Sequence, residues 1–253
     1  MKKTALLVMA VIVFGAAVPC HAGGQVKLAA DDWPPFSAEP GEKPGSMVEI
    51  AKAVFEDAGY TVTYSLLPWK RVLADVAKGT LDGAIGVDFE DGLLVPSEPV
   101  VMVKSEFFVL KKSTWRYTGI ASLESISFGD AEGYTYGEPI DSYKAKHAGT
   151  DKVQLAGGDA PLVTNIRKLM AGRVDAVIET PEVFWNTVAR MGLAKTDFVE
   201  AGTACPLSPC YVGFTLNERG KKLAAVFDAQ MAELRKSGRL AKILGRYGMT
   251  DWK

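Results

Sequence analysis

Histidine and cysteine are scarce in this chain. Its 253 residues hold two histidines and three cysteines, and His21 and Cys20 sit side by side near the start. Only His147, Cys205 and Cys210 remain beyond them, so no ligand cluster for a metal is readable and none is expected. A Ser-His-Asp set and a phosphate-cradling glycine loop are also missing, and with them any reason to expect a catalytic residue or a cofactor. Charge of one sign is lacking too. Lys plus Arg number 29 and Asp plus Glu 30, a net charge of −1, which excludes an electrostatic case for nucleic acid or an anionic membrane as partner. There is no low-complexity segment, no long linker, and after residue 22 no apolar run long enough to span a bilayer.

What is present begins with a leader. Lys2 and Lys3 precede an apolar run, Ala5 to Val18, which is shorter than the roughly 20 residues a spanning helix needs. Cys20-His21-Ala22 then puts small residues at positions −3 and −1 of a cleavage site. Residues 1–22 are expected to be a signal peptide cut after Ala22, leaving a periplasmic mature chain without membrane insertion. The alternative is a lipoprotein anchored through Cys20, for which Pro19 is a poor preceding residue. Export also shapes the reading of Cys205 and Cys210 in ACPLSPC. In an oxidising compartment so close a pair is expected to form a disulfide that staples a loop.

The chain is organised around PWKRVLADVAKGTLDGAIG, residues 68–86. Trp69, Val72, Leu73 and Val76 share one helical face, Gly79 stops the helix, and an apolar strand follows from Leu81 to Val87. The pattern returns. Lys78-Gly-Thr-Leu-Asp-Gly-Ala-Ile85 matches Ala171-Gly-Arg-Val-Asp-Ala-Val-Ile178, again after a helical run. Two copies predict two similar lobes with a cleft between them, where small ligands bind. Asp82 and Asp175 recur at one place in the pattern, which marks them as structural.

Around these copies the order is strand, helix, strand, helix, strand, which predicts mostly parallel α/β sheets with helices on their faces. Val26 to Ala30 is the first strand, and the rigid loop DDWPPFS follows. Ser46-Met-Val-Glu49 reads as a capping box opening a helix that Gly59 stops. Glu106 to Leu110 is a strand near the first crossing between lobes, and residues 201–211 hold the return crossing. The expected division is 23–110 plus 211–253 for lobe 1 and 111–210 for lobe 2.

In this order and spacing, the WPPFS loop, GSMVEIAKAVFEDAG, the organising stretch, RKLMAGRVDAVIE and AELRKSGRLAKILGRYG resemble the extracytoplasmic solute-binding proteins of family 3, the amino-acid type. These are the receptor components of ABC importers. The resemblance covers nearly all of the chain after the leader. It implies the two-lobed periplasmic-binding-protein type II fold, with a two-stranded hinge that closes on a ligand. It also implies a monomer whose partners are a small-molecule ligand and an ABC-transporter permease.

Amino-acid binders of this family carry an arginine after the first-lobe strand to clamp the ligand carboxylate. Here that loop reads GVDFEDGLLVPSEP and contains no Arg or Lys. The second-lobe counterpart is an acid that binds the ligand ammonium. Thr180 falls at that position, with Glu179 beside it. A standard α-amino acid is therefore not the expected ligand. The resemblance places Trp33 and Trp69 at aromatic stacking positions. Tyr134, Thr135 and Tyr136 match a loop at a helix N-terminus that offers backbone N–H groups to anions. Asp88 and Glu90 follow the first-lobe strand, where ligands sit in open α/β sheets. Arg71 is a candidate replacement for the clamp if it turns inward. Aromatic and acidic positions without the arginine point toward a neutral or cationic ligand.

The leading reading is a periplasmic receptor that delivers a small polar solute to an importer. One alternative is a periplasmic enzyme on the same fold, of the type that dehydrates prephenate-like acids, with Glu179 or Asp88 as general acid or base. The other is a receptor that presents its closed form to a membrane sensor.

Overall fold

The computed structural model describes residues 24–89 and 92–253. The expected signal peptide, its cleavage point and Glu90 lie outside the described residues. Among these residues, no helix is long and apolar enough to cross a membrane.

The first half alternates strands and helices: β1 (Gln25–Ala30), α1 (Ser46–Asp57), β2 (Thr61–Leu66), α2 (Trp69–Ala77) and β3 (Gly83–Val87). A long strand, β4 (Val101–Leu110), leads into the second half, with β5 (Phe128–Ala131), α3 (Ile140–Lys146), β6 (Val153–Ala156), α4 (Pro161–Met170), β7 (Ala176–Glu179) and α5 (Pro181–Arg190). The chain returns through β8 (Phe198–Phe214) and ends in α6 (Glu218–Lys236) and α7 (Arg239–Gly245).

The strands lie in the order β2-β1-β3-β8-β4-β7-β5-β6. On one side β1 is parallel to both β2 and β3, and β8 closes the set antiparallel to β3. On the other side β5 is parallel to both β6 and β7, and β4 closes the set antiparallel to β7. The two sets are one design built twice. The sequence repeat is thus a structural repeat, and β4 paired with β8 is the two-stranded connection between the lobes.

The repeated aspartates show why the motif recurs. Asp82 Oδ2 accepts the Lys27 N–H at 2.8 Å, and the Asp82 N–H donates to the Lys27 carbonyl at 2.9 Å. Asp175 Oδ2 accepts the Ser127 N–H at 2.8 Å, and its N–H donates to the Ser127 carbonyl at 2.9 Å. Each aspartate ties its own strand's entry to the neighbouring parallel strand, whatever the ligand. Gly79 and Gly172 end the preceding helices in the left-handed region, at φ 75° and 67°.

Aromatic rings pack in both lobes, and one apolar cluster runs from Phe55 and Phe227 through to Phe108 and Phe184. Phe55 meets Phe214 and Phe227 at 5.9 and 6.3 Å between ring centroids. In the other lobe, Phe107 meets Phe128 edge-on at 5.4 Å, and Phe108 stacks on Phe184 at 3.8 Å. Asn217 caps α6 by accepting the Gly220 N–H at 2.9 Å.

Two local expectations need correction. Ser46 does not form a capping box. The N–H groups of Ser46 and Met47 are already taken by the carbonyls of Pro35 and Phe36, at 2.9 and 3.0 Å. Glu49 instead accepts from Arg246 and Tyr247 of the C-terminal segment. The second correction concerns Cys205 and Cys210, which are not joined in a disulfide. The segment ACPLSPC is not a loop but part of β8. Five residues along a strand separate the two by roughly 16 Å, well beyond the ~7 Å Cα limit of a bridge. Cys205 lies opposite Ser105, and Cys210 opposite Val101 and within 4.0 Å of the Met47 sulfur.

The candidate ligand cleft

The carboxyl ends of the parallel strands in both lobes face one hollow, the place where open α/β sheets hold ligands. It encloses about 690 Å³ of empty space, its open mouth included. Lobe 1 contributes Asp31 and Trp33 after β1, Trp69 at the start of α2, and Gly86 to Asp88 at the end of β3. Lobe 2 contributes Tyr134, Thr135 and Tyr136 after β5, and Glu179 and Thr180 at the end of β7. The connecting strands form the floor through Val103, Ser105, Cys205 and Ser208 to Cys210.

Eight sequence candidates therefore meet here: Trp33, Trp69, Asp88, Tyr134, Thr135, Tyr136, Glu179 and Thr180. Arg71 does not line the hollow. It lies on the solvent side of α2, 66% exposed, with its Nε 3.4 Å from Asp75 one turn on. Asp31 was missed, although its place at the end of the first parallel strand, two residues before Trp33, was the signal that would have found it. The floor residues were missed because ACPLSPC read as a loop.

Polar contacts run between the lobes. The Tyr134 hydroxyl donates to Asp31 Oδ2 at 2.6 Å, and the Thr135 hydroxyl to Asp88 Oδ2 at 2.8 Å. Trp33 Nε1 donates to Glu179 Oε1 at 2.8 Å, and the Thr180 N–H reaches the same oxygen at 2.8 Å. Trp69 meets Tyr134 edge-on at 6.4 Å. At the rim, Lys70 pairs with Glu132 at 2.7 Å and Arg190 with Asp32 at 3.1 Å.

Electrostatically the hollow is one-sided. Among its described lining residues there are three carboxyls and no Lys, Arg or His. Behind the wall, Asp130 accepts the Tyr136 hydroxyl at 2.6 Å and pairs with Lys144 at 2.7 Å. Lys144 also lies 4.6 Å over the Tyr136 ring and 3.7 Å from Asp141. Burial pushes the Glu179 carboxyl up to about 8, against the pull of the Trp33 and Thr180 donors. It pushes Asp31 up to about 6, against the Tyr134 hydroxyl. Asp130 is raised by burial as well, with Lys144 opposing. The Cys205 thiol is pushed up to about 12 by burial, so it is not a reactive thiolate.

This geometry defines a class: a clamshell binding protein of the periplasmic-binding-protein type II fold, with two similarly built halves, a shared cleft and a two-strand connection. The chain belongs to the bacterial extracellular solute-binding proteins, family 3, whose family model matches residues 26–250. No curated protein matches the sequence. Among solved structures it resembles the arginine-, lysine-, histidine-binding protein ArtJ of Geobacillus stearothermophilus. That match has a TM-score of 0.72 and 19% identity, over 90% of this chain and 97% of that one. A structure from work on glutathione import through GshT and the cystine importer TcyBC of Streptococcus mutans matches with a TM-score of 0.71 and 19% identity, over 89% and 95%. A histidine kinase sensor domain similar to periplasmic binding proteins matches with a TM-score of 0.72 and 19% identity, over 88% and 95%. Identities this low speak for the fold.

Proposed function

We propose that this protein is a periplasmic receptor that closes its two lobes on a small polar solute and hands it to an ABC importer, and that the solute is not a standard α-amino acid. The observation that carries the reading is the cleft wall itself, with aromatic rings and carboxyls from both lobes and no cation among its described residues to hold a carboxylate. A bidentate guanidinium is what makes carboxylate recognition strong, and the described lining residues offer none. Trp33, Trp69, Tyr134 and Tyr136 supply the rings, Asp31, Asp88 and Glu179 the acids, and Thr135 and Thr180 further polar contacts.

The mechanism is hinge closure. A ligand shifts the open–closed equilibrium by its differential affinity for the closed form. The contacts already joining the lobes, Tyr134 to Asp31 and Thr135 to Asp88, favour that form. Mass spectrometry of a copurifying small molecule, followed by small-angle scattering with and without it, tests the reading. We expect compaction on binding. A ligand that binds without compaction overturns closure. At a hundredfold excess over its dissociation constant, the ligand should stabilise the fold by about 2.7 kcal/mol, readable as a raised melting temperature.

The sensor-domain neighbour favours a second partner, a membrane sensor in place of the importer. Deleting the gene separates the two. Lost uptake of the solute supports import, and a lost transcriptional response with uptake intact supports sensing.

A further inference from the structure

We propose that the cleft takes a small organic ammonium or guanidinium ion that carries no carboxylate, and that this cation displaces a proton held on Glu179. The proposal rests on the receptor reading above and names its ligand class.

Carboxyls outnumber cations among the groups buried around the cleft. Asp31, Asp130 and Glu179 are each at most 7% exposed. The buried cation beside them is Lys144, and it is committed to Asp130 at 2.7 Å. The other groups facing Glu179 do not change the count. Glu106 stands opposite it in the β4–β7 register and is paired with Lys104 at 2.5 Å. Tyr134 and Tyr136 are neutral hydroxyls held by Asp31 and Asp130. Arg190 on α5 is taken by Asp32. Two carboxyls, Asp31 and Glu179, are thus left without a cation. Ionising both while they are so largely buried is costly, and such groups take up a proton instead. Burial holds Glu179 as the more readily protonated of the two, near 8 against near 6 for Asp31.

The bonds show where a guest would attach. Both donors to Glu179 reach Oε1, and the Tyr134 hydroxyl reaches Asp31 Oδ2. Glu179 Oε2 is the oxygen left to accept from it, beside the Asp31 carboxyl. Trp33, Trp69, Tyr134 and Tyr136 wall the same space with ring faces and edges, which attract an organic cation. No three His, Cys, Asp or Glu side chains among the described residues are grouped to hold a metal ion, so the fit is to an organic ion. The exchange balances as one step: the Glu179 carboxylic acid and the bound cation become a carboxylate–cation pair, and the proton leaves to solvent. A guest carboxylate would bring in another negative charge beside these acids.

The sign of the pH dependence follows. Protonated Glu179 competes with the cation, so affinity should tighten about tenfold per pH unit between 6 and 8 and level off above. The test uses matched pairs that differ by a carboxylate: agmatine and arginine, tyramine and tyrosine, ethanolamine and serine. Thermal shift on the purified protein should respond to an amine and not to its amino acid. Calorimetry of that amine at pH 7 in phosphate and in MOPS should give close to one proton released per site. Glu179→Gln should abolish the release. Should that variant fail to fold, the affinity of the unaltered protein across pH 6 to 8 reads the same exchange.

Equal binding of an amino acid and its amine overturns the ligand class. Amine binding with no proton release and a flat pH profile overturns the exchange. If no amine binds but another solute compacts the protein, this proposal fails and the receptor reading stands. If no solute of any kind compacts it, the receptor reading itself fails.

Discussion

Glu179 ties the cleft to the stability of the fold. Its folded carboxyl holds a proton up to about 8, while the unfolded chain releases it near 4.5. The folded state therefore binds more protons between those values, and stability falls as pH rises through that window. At about 1.4 kcal/mol per unit the loss by pH 8 is a few kcal/mol. We expect Glu179→Gln, whose amide oxygen still accepts from Trp33 and Thr180, to raise the melting temperature at pH 8 and leave it unchanged at pH 4. An equal effect at both pH values would count against a buried protonated acid. Asp175 has the opposite character. It holds the Ser127 N–H and hydroxyl at 2.8 and 3.0 Å, and Asp175→Ala should cost about 1 kcal/mol in urea unfolding with no change in ligand affinity. Its structural role was legible because the residue recurs in both motif copies. The cleft aromatics were legible because they adjoin strand ends. Arg71 was not, because a helix has two sides and periodicity does not say which way a long side chain at the border turns. Asp31 escaped because an acid beside another acid, Asp32, reads as solvated surface, whereas the fold buries the first and sends the second to Arg190.

Most elements were readable from period and stops, and β1 and β4 end where the sequence placed them, at Ala30 and Leu110. The strand β8 was not, because Pro206 and Pro209 within it argue for a loop. The topology explains them. Between its β3 pairing at 211–214 and its start at Phe198, β8 has β4 on one side only, and an edge tolerates residues without an N–H. This strand also keeps Cys205 and Cys210 apart. We expect a denatured chain that begins after the leader to titrate two thiols, and its melting temperature to be indifferent to reductant. A mass two daltons below that of the reduced form would contradict the strand. The junction of the WPPFS loop with α1 is the other element-scale lesson. Gly45 sits at φ 109°, and a Cβ there would lie 2.3 Å from the Phe36 carbonyl oxygen. Gly45→Ala should therefore destabilise by at least about 2 kcal/mol. Because the same loop carries Trp33, the variant should also weaken ligand binding more than its loss of stability explains.

For the whole molecule, the question is what sets the balance between open and closed lobes before a guest arrives. Asp31 to Tyr134 and Asp88 to Thr135 join the lobes inside the cleft, and Lys70–Glu132 and Arg190–Asp32 join them at the rim. The rim pairs involve side chains that are 73% exposed for Lys70 and 54% for Arg190, so each contributes no more than about 1 kcal/mol. They therefore adjust the open–closed balance and do not lock it. A ligand's apparent affinity is its closed-state affinity reduced by the fraction closed. Removing both pairs in a Lys70→Ala, Arg190→Ala double variant should then weaken binding by up to about thirtyfold, a shift of two such contributions. Scattering should show a more open ligand-free chain, with the same compact form at saturation. The proton count on binding should not change, because neither residue touches Glu179. A variant that lost affinity and proton release together would mean the rim and the cleft acids act as one unit, and closure would have to be described as assembly of the site rather than as a lid over a site already formed.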